Sequence, residues 1–388
     1  MTISGQAYIA SAFEHPTRKA PEKSLAQLHA ECAAGAIADA GITKDDVDGY
    51  FCGGDAPGGV GSIADYMNLK LRHLDSTDAG GCSPLIHVSH AAQAIAAGKC
   101  DIALVTLAGR PRSEGMATGT TPRLRDPQQP DAQFELPMTL TTANGYAMVA
   151  ARHMHEFGTT SEQLAWIKVA ASHHAQHNPH AMLPTVVTVE EVVASPVVAS
   201  PLHRLDCCVI SDGGGALIVT RPEIARSLNR PLVAIRGSGE AIKHQSAGTF
   251  DLTFSAAAIA GKAAFAEARV RPADIKYASI YDSFTITVLV QLEDLGFCEK
   301  GQGGRFVSDG NLISGVGRLP FNTDGGGLCS NHPANRGGMT KVIEAVRQLR
   351  GEAHPKVQVA NCDLALAHGT GLQLGARHGG ATLIMERG

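Results

Sequence analysis

The sequence has few aromatic residues, no long apolar run and no excess of positive charge. Phe, Trp and Tyr make up 5% of its 388 residues, whereas glycine occurs 43 times, so tight turns and small-residue packing are expected. No stretch approaches the roughly 18 uninterrupted apolar residues of a membrane-spanning helix. A formal net charge of −4, without a run of Lys or Arg, gives no electrostatic footprint for nucleic acid. The first residues lack a charged segment followed by an apolar core, so no signal peptide is expected.

Cysteines paired at C-x-x-C spacing, the usual ligands of structural zinc, are also missing. The nine cysteines stand at positions 32, 52, 82, 100, 207, 208, 298, 329 and 362. An odd number of cysteines scattered through Ala- and Val-rich segments fits reduced thiols in the cytoplasm better than a disulfide framework. Cys207 and Cys208 are adjacent, which is a poor chelating geometry, so we expect no metal site.

The chain does contain an internal repeat. With 388 residues, 44% of them hydrophobic and 18% charged, it is globular and long enough to need two cores. Residues Ala36–Tyr50 (AIADAGITKDDVDGY) and Ala264–Tyr277 (AFAEARVRPADIKY) share one pattern. In both, an Ala-rich helix ends before a β-branched residue, and an acidic turn leads to a second β-branched residue.

A second pair of similar segments extends the repeat. A Gly-rich turn at 80–84 precedes a helical stretch through residue 96 and an apolar strand at 100–108. In the other half, a Gly-rich turn at 325–329 precedes a helical stretch at 339–349 and a strand-like segment at 357–369. Apolar strands that alternate with helices predict parallel sheets covered on both faces.

The segment 112–200 is an excursion between the two halves. It is rich in Pro, Gln and Thr at first and then helical, and the strand pattern returns at 205–220. Long insertions of this kind usually bind a ligand or bury an interface. Its histidines at 173, 174, 177 and 180 can imitate a metal cluster, but their polar surroundings favour a solvated helix face.

The candidate nucleophile is Cys82, which follows two glycines at the predicted start of a helix. Backbone N–H groups and the positive end of the helix stabilise a thiolate at such a position. Neighbouring glycines also leave amides free to bind an oxyanion. The alternative is that Cys82 is simply a small residue that packs at the start of the helix.

The other candidate residues also lie at glycine-rich turns and strand ends. His332 precedes a proline at a predicted helix start, and His368 leaves the last apolar strand of the second half. Tyr281 and Asp282 end another strand. Ligands bind at strand ends in α/β folds, so these side chains are candidate acid/base groups. The alternatives are turn residues for the histidines and a core aromatic for the tyrosine.

Taken together, these segments resemble the thiolase superfamily. The sequence GGCSPLIHVSHAAQAIAAGKCDIALV is similar to the nucleophile segment of thiolases, and LDCCVISDGGGALIV to the strand that follows their CoA-binding loop. YDSF, LGFCEKGQGG, GGGLCSNHP and AHGTG occur in the order and spacing of sterol carrier protein X-type thiolases. The resemblance implies an α/β thiolase fold with a duplicated five-layer αβαβα core. Its halves would be residues 1–225, including a loop domain at about 112–200, and residues 226–388.

The resemblance also implies an activity. It predicts an acyl-CoA C-acyltransferase that condenses acyl-CoA or cleaves 3-oxoacyl-CoA thiolytically, with Cys82 as the acylated nucleophile. His332 matches the histidine that activates this nucleophile and helps to bind the thioester oxygen. His368 matches the position of a second acid/base, and Tyr281 and Asp282 complete the predicted catalytic set. The only cofactor would be the CoA of the substrate, and the protein would form a homodimer in the cytoplasm.

Three departures from the thiolase pattern keep other functions open. The spacing to the end of the helix allows Gly81, rather than Cys82, to occupy the nucleophile position. Tyr281 replaces the family's Asn or His, and Asn331 replaces the Gly before His-Pro. These changes resemble a branch of retro-aldolases that act on β-hydroxyacyl-CoA side chains, often with a small partner that has a zinc ribbon and an OB-fold. An inactive scaffold subunit is the third alternative, and a ketosynthase is a weaker one.

Overall fold

The structure is a computed structural model. It describes residues 2–53, 56–117, 128, 141–228, 230–243, 251–333, 337–372 and 378–388. The predicted loop domain is therefore described only in part, since residues 118–127 and 129–140 lie outside these ranges.

The described residues form alternating helices and strands. The strands are β1 (Tyr8–Glu14), β2 (Gly49–Cys52), β3 (His73–Ser76), β4 (Ile102–Gly109), β5 (Val197–Ala199), β6 (Leu202–His203), β7 (Gly213–Thr220), β8 (Val233–Ile242), β9 (Tyr277–Ile280), β10 (Leu364–Leu372) and β11 (His378–Arg387). The helices are α1 (Leu25–Ala40), α2 (Gly59–Tyr66), α3 (Ser83–Ala96), α4 (Thr142–Phe157), α5 (Ser161–Ala175), α6 (Val189–Val193), α7 (Pro222–Ser227), α8 (Ala257–Ala268), α9 (Thr285–Asp294), α10 (Gly303–Val307) and α11 (Gly337–Arg350).

The strand order repeats between the two parts of the chain. The nine hydrogen-bonded strands run β3-β2-β4-β7-β1-β8-β11-β10-β9. From the centre outward, the first part reads β1-β7-β4-β2-β3 and the second β8-β11-β10-β9, with Phe321 bridging to Ala278 beyond β9. β1 and β8 pair at Tyr8 and Ala234, which joins the two parts into one sheet.

The prediction of parallel sheets is wrong in part, because both halves of the sheet are mixed. β4 is parallel to β2 but antiparallel to β7, and β10 is parallel to β9 but antiparallel to β11. Only the parallel pairs need a crossover helix between their strands. The alternation of strands and helices therefore reveals those pairs and gives no information about the antiparallel ones.

The helices and strands pack in five layers around three large apolar cores, as the predicted αβαβα arrangement requires. Helices α3 and α11 pack on each other and on strands of both parts, with Val105 and Leu383 in the core between them. α1 and α2 cover the outer face of the first part, where Tyr50 is buried. α8 and α9, together with α4 and α5 of the excursion, cover the outer face of the second part.

The repeated segments adopt the same local structure. α1 begins with a capping box between Ser24 and Gln27 and ends at Gly41 in the left-handed conformation. α8 ends at Arg269, which is also left-handed. A one-turn 3-10 helix follows each of them, at Lys44–Asp46 and Pro272–Asp274, and leads into β2 or β9. The repeat detected in the sequence is thus a helix–turn–strand module.

The prediction of a solvated histidine face on α5 is wrong for His174. Its side chain is buried, and Nε2 accepts a hydrogen bond of 2.9 Å from the backbone N–H of Ser314. Burial lowers the pKa of His174 to about 3. The reason is that α5 packs into the core of the second part, so this side of the helix faces protein. His180 is exposed, as predicted.

Two further observations concern membranes and metals. None of the helices within the described ranges is both long and apolar enough to cross a membrane. Among the same residues, no three His, Cys, Asp or Glu side chains are grouped so that they could hold a metal ion.

Candidate active site

The phenol ring of Tyr281 lies beside Gly81. Tyr281 follows β9 directly, and its N–H donates a 2.9 Å hydrogen bond to the carbonyl of His368. A β-carbon built on Gly81 would come within 2.5 Å of Cε2 and 2.6 Å of Cζ of the tyrosine ring. Position 81 therefore faces Tyr281, and only glycine leaves room for the ring. Burial raises the pKa of the Tyr281 phenol well above its usual value, so the phenol keeps its proton at neutral pH.

His332 packs against this ring from another element. The ring centroids of Tyr281 and His332 are 5.3 Å apart, and the planes meet edge-on at 76°. The backbone N–H of His332 donates a 3.0 Å hydrogen bond to the hydroxyl of Ser211. Neither Nδ1 nor Nε2 has a hydrogen-bond partner among the described residues. Burial lowers the pKa of His332 to about 4, although the carboxylate of Asp282 opposes this shift. The imidazole is therefore neutral at pH 7, with one N–H and one lone pair to offer.

A glycine-rich turn brings His332 to the ring of Tyr281. Gly325 adopts a φ of 94°, which glycine tolerates at no steric cost, and a single π-helical turn spans Gly326–Ser330. The N–H groups of Gly327 and Leu328 donate to the two carboxylate oxygens of Asp282, at 2.8 and 3.1 Å. The carboxylate of Asp282 thus holds the backbone of the turn, as a side chain does at a helix N-terminus.

Cys82 follows Gly81, but its thiol is bonded to the backbone and packs beside β11. It is the N-cap of α3 and is fully buried. Its Sγ donates a hydrogen bond of 3.1 Å to the carbonyl of Ala79. A β-carbon built on Gly379 of β11 would be 3.3 Å from the sulfur, so the thiol lies between α3 and this strand. Burial raises the pKa of the thiol to about 12, against the stabilisation that the helix start offers.

His368 lies inside β10 rather than at its end, and on the other face of the sheet. β-carbons built on Gly369 and Gly371 would touch Leu85 and the carbonyl of Ala79, on the side of α3. Because side chains alternate along a strand, His368 points to the outer face. Its Nδ1 is 2.8 Å from Oγ1 of Thr382, and burial lowers its pKa to about 3. The strand continues past His368 because it pairs with β11 up to Leu372.

The sequence-predicted residues therefore divide into three groups. Tyr281 and His332 pack against each other, and Asp282 holds the turn that precedes His332. Cys82 is adjacent to Gly81, with its thiol bonded to Ala79, and His368 lies on the other face of the sheet.

Sequence reasoning missed two residues of this region. Lys341 of α11 lies 2.8 Å from Oδ1 of Asp282, and both side chains are almost fully buried. Ser211 anchors the backbone of His332. The only signal for Lys341 was its place one turn after the Gly337-Gly338 pair. Nothing in the sequence distinguishes Ser211 from other serines near a strand.

Comparisons with known proteins agree with this architecture. Residues 239–387 match the family model described as thiolase C-terminal domain-like. An acetyl-CoA acetyltransferase from Methanothermobacter thermautotrophicus is 35% identical over 370 residues, covering 90% of this chain and 91% of that protein. A steroid side-chain-cleaving aldolase from Thermomonospora curvata is 35% identical over 361 residues, with 90% and 91% covered.

Among solved structures, the chain is similar to one called Ltp2-ChsH2(DUF35) aldolase. The TM-score is 0.88 at 32% identity, and the match covers 99% of this chain and 98% of that one. The fold, the repeated strand order and these full-length matches confirm the resemblance seen in the motifs. The chain is a thiolase-like protein and belongs to the thiolase superfamily.

Proposed function

We propose that this enzyme cleaves the carbon–carbon bond of a β-hydroxyacyl-CoA by a retro-aldol reaction. One observation carries this proposal: glycine, not cysteine, faces the ring of Tyr281, which packs against His332. A proton donor and a proton acceptor therefore meet here, without a nucleophile at the position of Gly81.

The state of Cys82 supports the same choice. Acyl transfer through this residue needs a thiolate, and a thiol whose pKa burial raises to about 12 provides very little thiolate at neutral pH. Its sulfur donates a hydrogen bond to Ala79 and packs in an apolar core. An acyl group on this sulfur would have to displace part of that core, which is densely packed.

In the retro-aldol step His332 accepts a proton and Tyr281 donates a hydrogen bond. The neutral imidazole of His332 accepts the proton of the substrate β-hydroxyl. The bond between the α- and β-carbons breaks, its electron pair passes to the α-carbon, and the β-carbon becomes a carbonyl. The thioester carbonyl delocalises that pair as an enolate, to which the protonated phenol of Tyr281 donates. The α-carbon then takes up the proton that His332 accepted, so the step consumes no water, free CoA or oxidant.

The relatives support this assignment and a partner protein. Two of the three matches reported above carry the name aldolase, and one of them is a steroid side-chain-cleaving enzyme. The name of the solved structure also includes ChsH2(DUF35). By analogy, the chain would act on a bulky acyl-CoA together with a small OB-fold, zinc-ribbon partner. A gel-filtration shift on mixing with such a protein tests the partner, and independent elution contradicts it.

A cysteine-dependent acyltransferase is the second candidate. The observation in its favour is the acetyl-CoA acetyltransferase of Methanothermobacter thermautotrophicus, which is as similar to this chain as the aldolase is. Cys82 at the start of α3 would be its nucleophile, and a ping-pong reaction through an acyl-enzyme would follow.

The test separates the two by products and by enzyme mass. A panel of β-hydroxyacyl-CoA and 3-oxoacyl-CoA substrates is incubated with and without free CoA, in the presence of the partner. Retro-aldol cleavage gives a carbonyl compound and a shorter acyl-CoA without free CoA, and it persists in Cys82→Ala. Cleavage that requires free CoA, with a one-acyl mass gain that disappears in Cys82→Ala, would establish the acyltransferase instead. If no substrate of the panel is turned over, both enzyme functions fail and the inactive scaffold subunit is the remaining alternative.

The proposal also covers the cellular compartment and the oligomeric state of the enzyme. All nine cysteines are free, which supports a reducing compartment such as the cytoplasm. A homodimer is expected by analogy with thiolases, and light scattering of the isolated chain measures it.

A further inference from the structure

A buried ion pair lies directly behind His332. Nζ of Lys341 is 2.8 Å from Oδ1 of Asp282, with 2% and 0% of the two side chains exposed. Removing a charge from water is costly unless the charge is paired, and removal of one partner of a buried pair is strongly destabilising. This pair connects α11 to the segment that carries Tyr281.

The same carboxylate reaches the turn that precedes His332. Oδ1 of Asp282 accepts from the N–H of Gly327, and Oδ2 accepts from that of Leu328. A β-carbon on Gly327 would lie 3.0 Å from Oδ1 of Asp282 and equally far from Cδ2 of His332. Gly327 thus lies between the carboxylate of Asp282 and the imidazole ring of His332, where a larger side chain would contact both.

We propose that Lys341 and Asp282 are a positioning pair for His332, which fixes the turn that carries it and balances the charge beside its ring. This inference rests on the proposed function only in taking His332 as the proton acceptor. Neither residue of the pair is assigned contact with substrate.

The charges around the imidazole act in opposite directions. Burial lowers the pKa of His332 most, the Asp282 carboxylate raises it, and the Lys341 ammonium lowers it. Tyr281 presents its ring edge-on to His332, and Ser211 contributes a hydroxyl to its backbone. Cys329, in the turn itself, lies 3.1 Å from the ammonium of Lys168. Lys341 also faces the buried carboxyl groups of Asp324 and Glu344, which together with Asp282 raise the pKa of its ammonium. Oδ1 of Asp324 accepts from the N–H of Gly326 in the same turn. For His332, Lys341 is the ammonium that opposes the effect of the Asp282 carboxylate on the pKa.

The experiment measures the protonation of His332 directly, so it does not depend on turnover. Histidine labelled with carbon-13 at Cε1 is incorporated, and the His332 signal is assigned by its loss in His332→Gln. The titration midpoint is compared between about pH 3 and 8 in the wild type, Lys341→Met and Asp282→Asn. We expect Lys341→Met to raise the midpoint by about one pH unit or more, and Asp282→Asn to lower it below that of the wild type.

The opposite signs separate a charge effect from a loss of structure. If both single variants move the midpoint towards about 6.5, the ring has merely become exposed, and the proposal is overturned. An unchanged midpoint in Lys341→Met overturns it as well. If aldol cleavage fails in the wild type while the midpoints shift as expected, the proposed function fails and the positioning pair stands.

A neutral double variant decides the matter if a single variant does not fold. Asp282→Asn combined with Lys341→Met removes both charges, so the midpoint should stay within about half a pH unit of the wild type. One anchor of the turn is then weaker, and kcat should fall more than KM changes. Wild-type kcat together with a wild-type midpoint would overturn the proposal.

Discussion

The phenol ring of Tyr281 fills the space that a side chain at position 81 would need, with ring atoms 2.5 and 2.6 Å from the β-carbon that Gly81 lacks. The size of one residue is therefore tied to that of the other. A larger side chain at position 81 requires a smaller one at position 281. This relationship connects two departures from the thiolase pattern, Gly81 at the nucleophile position and Tyr281 in place of Asn or His.

Gly81→Ala should destabilise the fold and reduce activity. The added methyl group would press on the tyrosine ring and on the backbone carbonyl of Thr370, and overpacking of this kind costs about 1–3 kcal/mol. In the Tyr281→Ala background the same change should cost less, because only the carbonyl contact remains. Urea unfolding of the four proteins of this double-mutant cycle measures the coupling.

Gly61→Ala is the matched control for this cycle. A β-carbon on Gly61 in α2 meets nothing within 4 Å, so the change should be neutral or stabilise the helix by up to about 1 kcal/mol. Equal cost of Gly81→Ala with and without the tyrosine ring would contradict the size relationship.

Cys82→Ala should retain aldol cleavage. The thiol is buried and protonated, so its removal should change kcat/KM by less than about 1 kcal/mol, or roughly fivefold. Tyr281→Phe removes the phenol proton and should lower kcat by about a hundredfold. Steady-state kinetics with the best substrate of the panel provide the comparison, and a larger loss in Cys82→Ala than in Tyr281→Phe would reverse the assignment.

The protein should lose stability as the pH falls from about 6.5 towards 4. Burial lowers the pKa of His174 and His368 to about 3, and of His87 and His332 to about 4. These side chains stay neutral in the folded state but take up protons near pH 6.5 when unfolded. Below that pH the unfolded state binds more protons, so each histidine lowers the free energy of unfolding by up to about 1.4 kcal/mol per pH unit.

His174→Gln should flatten this pH dependence, because Gln can still accept the hydrogen bond from Ser314 but does not titrate. The slope of the free energy of unfolding against pH, from urea titrations between pH 4.5 and 6, should drop by about one proton. An unchanged slope in His174→Gln would refute this account.

Breaking the buried ion pair should be more costly than removing it. Lys341→Met leaves the carboxylate of Asp282 buried without its cation and should cost about 3–5 kcal/mol. The neutral double variant with Asp282→Asn should be more stable than Lys341→Met alone. Chemical denaturation of the three variants checks this order, and a double variant that is the least stable would disprove it.

The sequence predicts the fold of this protein much better than its site. The helix–turn–strand module at Ala36–Tyr50 and Ala264–Tyr277 depends on local periodicity and turn residues, which a sequence displays directly. The motif order then identified the superfamily. The mixed direction of the strands was not predictable, since antiparallel partners such as β4 and β7 are far apart in the chain.

The site depends on directions that the sequence does not record. A shift of one residue decides whether Gly81 or Cys82 faces Tyr281. The spacing to the end of the following helix is compatible with either residue at the nucleophile position. His368 and Gly369 are neighbours in sequence but lie on opposite faces of β10. The environment of His174 was misjudged because its contact, Ser314, is remote in the chain.

The central layer makes the two parts of the chain depend on each other. α3 comes from the first part and α11 from the second, yet each packs on strands of both. A single part, folded alone, would therefore expose the side of its central helix that now packs on the other part. Such a fragment would need a second copy to cover this apolar surface. Because both parts lie in one chain, their association does not depend on protein concentration.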